Sequence, residues 1–238
     1  MEDIWVHQNV INVPREDIVL MEIGAFDGIQ YSNTYMLEKC LECKPAFLIE
    51  PSPERVFHIR AKRPNSQILQ AAVSSEFGTA TFAGSTSVSG ILDMMTDEYI
   101  QRWGIDKYKK YNVITVPMRS VQEVHGESYI DFLSIDVQGA EIYVLESTDF
   151  SQPIGCIAIE LEGHRPDNDE KCRRILESHG FKLRTRLLIS EIWVNHSYQR
   201  ADILYDINNK LDFSKYDIPG YAQKHFKNLL PSFAGSKI

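Results

Sequence analysis

Four acidic side chains close four apolar runs in this chain: Glu22 after 18–21, Glu50 after 46–49, Asp136 after 129–135, and Glu160 after 155–159. A carboxylate in such a place can accept hydrogen bonds from a diol, balance a bound cation, or take up a proton as a general base. Just beyond the last of them, Glu160-Leu-Glu-Gly-His164 adds a second acid and an imidazole, the side chain whose charge changes near neutral pH. Gly24 and Gly28 follow the first run and let the backbone approach a ligand closely. Ser32-Asn33-Thr34 then offers side-chain oxygens to start a helix. Strand, glycine turn and helix start together read either as the nucleotide-holding corner of an open α/β sheet or as an ordinary βα turn. One acid at a strand end reads equally well as a solvated residue or a helix cap. Four in the same topological place point to a shared crevice.

The elements that must position these groups follow from the apolar pattern. Continuous apolar runs at 18–23, 46–50, 68–73, 129–136 and 155–161 read as strands buried on both faces. Helical spacing or helix signals appear from Tyr35 to Leu41, over 54–62, from Gly139 to Leu145, and over 169–179, where Gly180 closes the last. Strands alternating with helices imply an α/β fold with a mostly parallel sheet and right-handed crossovers. Residues 181–188 and 191–195 read as a closing antiparallel hairpin. Residues 79–82 alternate and suggest a small antiparallel excursion. The expected organisation is an N-terminal segment over 1–17, a main domain over 18–197, and an extension over 198–238. Residues 84–115 interrupt the βα pattern with a polar loop and an aromatic-rich stretch, an insert placed to act as a lid near an acceptor.

Composition excludes several classes. A formal charge of −8 disfavours a nucleic-acid backbone as the main partner, which calls for a basic face. No apolar run reaches membrane-spanning length, and the acidic start Met1-Glu2-Asp3 is unlike a signal peptide, so a cytoplasmic protein without a membrane partner is expected. Cys40 and Cys43 have metal-like spacing, but they fall in a helical pattern and no second pair follows, so no metal is expected.

Glu50 lies 22 residues past Gly28, about where a dinucleotide-type site sets an acid on the ribose hydroxyls. Neither G-x-G-x-x-G nor the P-loop pattern is present, which argues against nicotinamide dinucleotide and nucleoside triphosphate. Glu22-Ile-Gly-Ala-Phe-Asp-Gly28 with Ser32-Asn33-Thr34, Ile49-Glu-Pro-Ser-Pro53, Ala71-Ala-Val-Ser74 and Asp131-Phe-Leu-Ser-Ile-Asp-Val-Gln-Gly-Ala-Glu141 resemble, in this order, the FkbM family of S-adenosylmethionine-dependent methyltransferases. The resemblance spans roughly residues 17–195. It implies a Rossmann-like methyltransferase fold with a seven-stranded sheet and helices on both faces. It implies S-adenosylmethionine as cofactor, with Glu22, Gly24, Ala25, Asp27, Gly28, Ser32 and Asn33 around its methionine part. It also implies Glu50 and Pro51 at the ribose, and Ala72 and Val73 near the adenine. The family usually carries Glu where this chain has Gln138, so an acid–base role there is lost while a positioning role survives.

A hydroxyl acceptor needs a base. Asp136 at the end of the fourth strand is the first candidate, with cofactor binding or acceptor orientation as its competing roles. His164 is the second candidate. The expected reaction is O-methylation of a small sugar-like or natural-product acceptor. N-methylation and a non-catalytic cofactor-binding protein remain open alternatives at this point. An oligomer through the extension is a further expectation.

Overall fold

The computed structural model describes residues 1–11, 15–84, 86–198 and 200. In chain order its elements are α1 (Glu2–Asn9), β1 (Leu20–Ile23), α2 (Tyr35–Leu41), β2 (Phe47–Ile49), α3 (Pro53–Lys62), β3 (Gln67–Leu69), β4 (Ala72–Ser74), β5 (Gly78–Ala83), β6 (Gly90–Ile91), α4 (Asp97–Trp103), β7 (Lys110–Pro117), α5 (Met118–His125), β8 (Ile130–Ile135), α6 (Glu141–Glu146), β9 (Ile154–Glu160), α7 (Pro166–Ser178), β10 (Phe181–Leu187) and β11 (Ser190–Asn195).

Seven strands form one sheet in the order β10-β11-β9-β8-β1-β2-β3. Its pairings are parallel except those of β11, which runs antiparallel to both β9 and β10. This is the expected Rossmann-like architecture with its terminal hairpin. The strands are apolar throughout because both faces are covered, and residue parity decides which layer each side chain enters. Met21, Ile23, Ile49, Leu133, Ile135, Ile157 and Ile159 pack with Met118 and Val121 of α5, Val144 and Leu145 of α6, and Leu176 of α7. Leu20, Leu48, Phe132 and Ala158 face the other way, onto Val6 of α1, Leu37 and Leu41 of α2, and Ile59 of α3. Each such fully buried side chain contributes about 1.5–3 kcal/mol.

Three features differ from the sequence-based expectation. The expected third strand, 68–73, is two strands in two sheets. β3 pairs with β2 as far as Leu69, and Ala72–Ser74 pairs with Thr115–Pro117 of β7 in a second sheet ordered β4-β7-β5-β6. The switch falls at Gln70–Ala71, where the Ala71 amide turns back onto the Leu69 carbonyl. No glycine or proline marks the bend, so nothing local signalled it. Secondly, β7 belongs to that second sheet and leads straight into α5, a helix the sequence reading passed over. Its signal was Met118, Val121 and Gln122 at helical spacing behind Pro117, all three buried. Thirdly, the insert supplies β6, α4 and most of β7. Most of the expected extension, 201–238, and any oligomer contact through it lie outside the described residues.

Candidate functional site

The turn after β1 brings three strand ends together. The Gly24 and Ala25 amides both donate to the Ile49 carbonyl of β2, and the Asp136 amide donates to the Ile23 carbonyl of β1. Gly24 sits at φ +88°, and a Cβ there would stand 1.8 Å from the Asp136 carbonyl oxygen. Only glycine lets the ends of β1 and β8 touch in this way. Glu50 is anchored by two amides: Oε2 accepts from Phe26 at 3.0 Å and Oε1 from Ser52 at 2.9 Å. Each carboxylate oxygen keeps a further lone pair for a ligand.

Glu50, Asp136 and Gly24 line one cleft, formed by two adjoining hollows of about 440 and 400 Å³. Its inner hollow is an apolar slot that includes Ala72, Val73, Phe82 and Ile91, with Pro51 also on its wall. Its outer hollow reaches Phe26, Tyr31 and Arg55, and residues 86–89 of the insert close over it. An apolar slot, a fixed carboxylate acceptor, then a second carboxylate are what an adenine, a ribose diol and a cationic sulfonium or ammonium call for in turn. The residues present therefore fit S-adenosylmethionine. The sequence reading did not pick out Phe82, Ser89, Gly90 or Ile91. They come from the insert and the second sheet, and no local pattern ties them to β2.

The other residues expected around the methionine part lie differently. Glu22 is buried beneath the turn, where it accepts from Ser32 Oγ at 2.7 Å, the Asn33 amide at 2.7 Å and Thr34 Oγ1 at 2.6 Å. The Asn33 side chain donates to Ser134 Oγ of β8 at 3.1 Å. Asp27 accepts from the Ile29 and Gln30 amides and pairs with Lys62. Burial opposes its charge, yet these partners hold its carboxyl below the usual range. Gly28 at φ +82° packs on Ile59 and Arg63. Ala25 is buried in the α2–α3 layer. The structure brings Gly24, Glu50, Pro51, Ala72, Val73 and Asp136 to the cleft. It places Glu22, Asp27, Gly28, Ser32 and Asn33 in the scaffold that shapes the turn.

That scaffold centres on Arg63. Its guanidinium is almost fully buried, lies 3.7 Å from Glu22, pairs with Glu38, and donates to the Gly28 carbonyl at 3.2 Å. Arg63→Ala strands two buried carboxylates and should destabilise the fold by about 3–5 kcal/mol. Urea denaturation measures this, and a loss below about 1 kcal/mol would remove Arg63 from the scaffold.

His164 does not join Asp136 in the cleft. It lines a second cavity of about 470 Å³, between the insert and the β9–α7 segment, together with Glu160, Glu162 and Tyr99. Gln138 lies between the two spaces and lines both. Its amide nitrogen donates to Asp136 Oδ1 at 2.5 Å and to Glu160 Oε2 at 2.7 Å, while its oxygen accepts from the Tyr99 hydroxyl. Asp136 and Glu160 also share a hydrogen bond, so one proton serves the pair. Burial raises both groups, and the negative Asp136 beside it pushes Glu160 higher still, so Glu160 carries that proton. The sequence marked Glu160 as one acid among four. Its pairing with Asp136 and Gln138 needed adjacent strands β8 and β9 to be seen.

Burial pushes Glu50 up to about 7, with the Asp136 charge adding to the shift. Between the unfolded carboxyl's range and pH 7, the folded protein keeps a proton that the unfolded chain has released. Stability without ligand is thus highest at the acid side of that window and falls as pH rises through it, by about 3 kcal/mol from this group. Glu141, also at about 7 through burial, adds a slope of the same sign. Glu50→Gln should flatten the Glu50 share in denaturation curves between pH 5 and 8. An unchanged slope would contradict the assignment.

Among solved structures, the chain is similar to methyltransferase FkbM from Methylobacillus flagellatus KT (10% identity, TM-score 0.49, 75% of this chain and 44% of that one). The match thus spans less than half of the Methylobacillus protein. It is also similar to the Methanococcus jannaschii fibrillarin pre-rRNA processing protein (13%, 0.43, 79% and 71%). A third likeness is to M. capricolum TrmK (10%, 0.42, 100% and 88%). No curated protein matches the chain. Among the described residues, no helix is long and apolar enough to cross a membrane. The family pattern described as the methyltransferase FkbM domain matches residues 22–183, most of the chain and all the strand ends that build the cleft. The chain therefore belongs to the FkbM methyltransferase family.

Proposed function

We propose that this protein transfers the methyl group of S-adenosylmethionine to a hydroxyl of a small, sugar-like or natural-product acceptor. The observation that carries the hydroxyl assignment is His164, whose Nε2 lies 2.5 Å from Glu162 Oε2 on the far side of Gln138 from the cleft. Glu162 accepting from Nε2–H leaves Nδ1 as the basic nitrogen. A hydroxyl is a weak nucleophile at neutral pH, and a base beside it adds roughly 10²–10⁴-fold. In this reading Glu50 accepts from the ribose diol, and the slot at Ala72, Val73 and Phe82 takes the adenine. Asp136, the ionised member of its pair, faces the cationic end. The cofactor supplies an electrophilic methyl on a positively charged sulfur. His164 takes the hydroxyl proton as the oxygen gains the methyl, and positioning by the two walls supplies much of the rest. Cys43, Cys156 and Cys172 are free thiols, which supports action in the reducing cytoplasm.

Transfer of labelled methyl groups, with calorimetry on S-adenosylhomocysteine, tests the reading. His164→Ala should lower kcat by 10²–10⁴-fold and leave product affinity within about twofold. Asp136→Ala should leave cofactor binding measurable and remove turnover. Normal turnover by either variant would take that residue out of the mechanism. Transfer to amines alone would make the protein an N-methyltransferase, and binding without transfer to any acceptor would make it a non-catalytic cofactor binder.

A further inference from the structure

The cavity beyond Gln138 has walls set by backbone contact. Gly139 at φ +104° has the Met94 carbonyl oxygen 2.4 Å from where a Cβ would be, so the insert is seated directly on the chain after β8. From the other side, the Arg165 guanidinium donates to the Met95 carbonyl at 3.0 Å. The space between them is lined by the insert, the chain after β8 and the β9–α7 segment. It meets the cofactor cleft at the Gln138 side chain.

Its polar groups are unevenly matched. Several donors on its walls have partners: Arg165 on Met95, the Tyr99 hydroxyl on Gln138, and the Gln138 amide on Asp136 and Glu160. Charged acceptor capacity remains on Glu162 and Asp169, while Met94, Ile142 and Cys172 supply apolar surface. A ligand that complements these walls must bring donors and a C–H face. One that brings a carboxylate or phosphate meets Glu162 and Asp169 head-on, against the single guanidinium of Arg165, which is already tied to the Met95 carbonyl.

We propose that this cavity is the acceptor site, and that it admits uncharged or cationic polyhydroxylated molecules while rejecting carboxylated and phosphorylated ones. Gln138 forms its threshold, across which the accepting hydroxyl meets the methyl group. The assignment rests on the methyltransferase reading above. Cys172, buried in the wall, is the residue through which the space can be filled without touching the cleft.

The test uses the full chain, labelled S-adenosylmethionine and four probes at equal concentration: a methyl hexoside, its 2-amino analogue, its uronate, and a hexose 6-phosphate. Calorimetry on S-adenosylhomocysteine runs in parallel. The neutral and amino probes should be methylated with kcat/KM at least 100-fold above the uronate and the phosphate. Cys172→Trp should lower transfer to the good probes at least 100-fold and leave the S-adenosylhomocysteine Kd within twofold. Met94→Trp fills the same space from the insert and serves if the first variant does not fold. Anionic probes within tenfold of the neutral ones, transfer to none of the four, or full transfer by both filled variants would overturn the proposal while product binding leaves the cofactor reading standing. Loss of product binding by the unaltered protein would instead sink the methyltransferase reading beneath it.

Discussion

Glu50→Ala should weaken S-adenosylhomocysteine binding by about 10²–10⁴-fold at pH 8, measured by calorimetry. Two hydrogen bonds from a ribose diol to a charged acceptor contribute roughly 1.5–3 kcal/mol each, and the substitution removes both. The carboxylate is also what the Phe26 and Ser52 amides at the start of the cleft donate to, at 3.0 and 2.9 Å, so its loss frees two donors that shape the cleft. Glu50→Gln should lose nearly as much, because one of its two ends is an NH₂ that faces an amide donor. The pH dependence of the unaltered protein carries the same signature. With Glu50 pushed up to about 7 by burial, binding that needs the ionised form tightens as pH rises through neutrality and weakens below it. Affinity of the alanine variant within threefold of the parent would mean that the ribose is held elsewhere.

Gly24→Ala should leave little folded protein, and any that folds should melt at least about 10 °C lower. The added Cβ would lie 1.8 Å from the Asp136 carbonyl oxygen, and φ +88° is strained for any L side chain. The conflict is between two backbones, so no rotamer change relieves it. β1 and β8 must part, with loss of the Asp136–Ile23 and Gly24–Ile49 hydrogen bonds. Overpacking and strain of this order cost about 3–5 kcal/mol together, a large share of the 5–15 kcal/mol that keeps a domain folded. For a domain of this size each kcal/mol moves Tm by about 2–4 °C. Gly126→Ala is the matched control: φ is +74° but nothing lies within 4 Å of the new Cβ, so only the backbone term of about 1–2 kcal/mol remains. Equal melting points for the two variants would show that the contact between the strand ends is not what Gly24 serves.

The resemblance drawn from five short motifs and the order of strands and helices were both legible because each depends on neighbours in sequence. An apolar run of 18–23 or 155–161 must be buried wherever it lies, and alternation assigns its residues to one layer or the other. The carboxylates at the strand ends were visible for the same reason: a charge cannot continue such a run. Which way each one turns was not visible. Glu22 and Glu50 both close buried strands, yet Glu22 turns under the glycine loop to Ser32, Thr34 and Arg63 while Glu50 faces the cleft.

That difference is made by partners the chain brings in from far away. Arg63 reaches Glu22 from the end of α3, and Gln138 joins Asp136 to Glu160 across two strands and meets Tyr99 from the insert. The bend that splits 68–73 between two sheets follows from β7 lying beside Ala72–Ser74, which no local pattern encodes. Hydrophobic periodicity alone therefore determined the layers and the strand ends, since burial is a property of a segment. The tertiary structure decided which acids share the cleft, which one shares a proton, and where His164 stands, since hydrogen bonds and charge pairs depend on distances that sequence separation does not set.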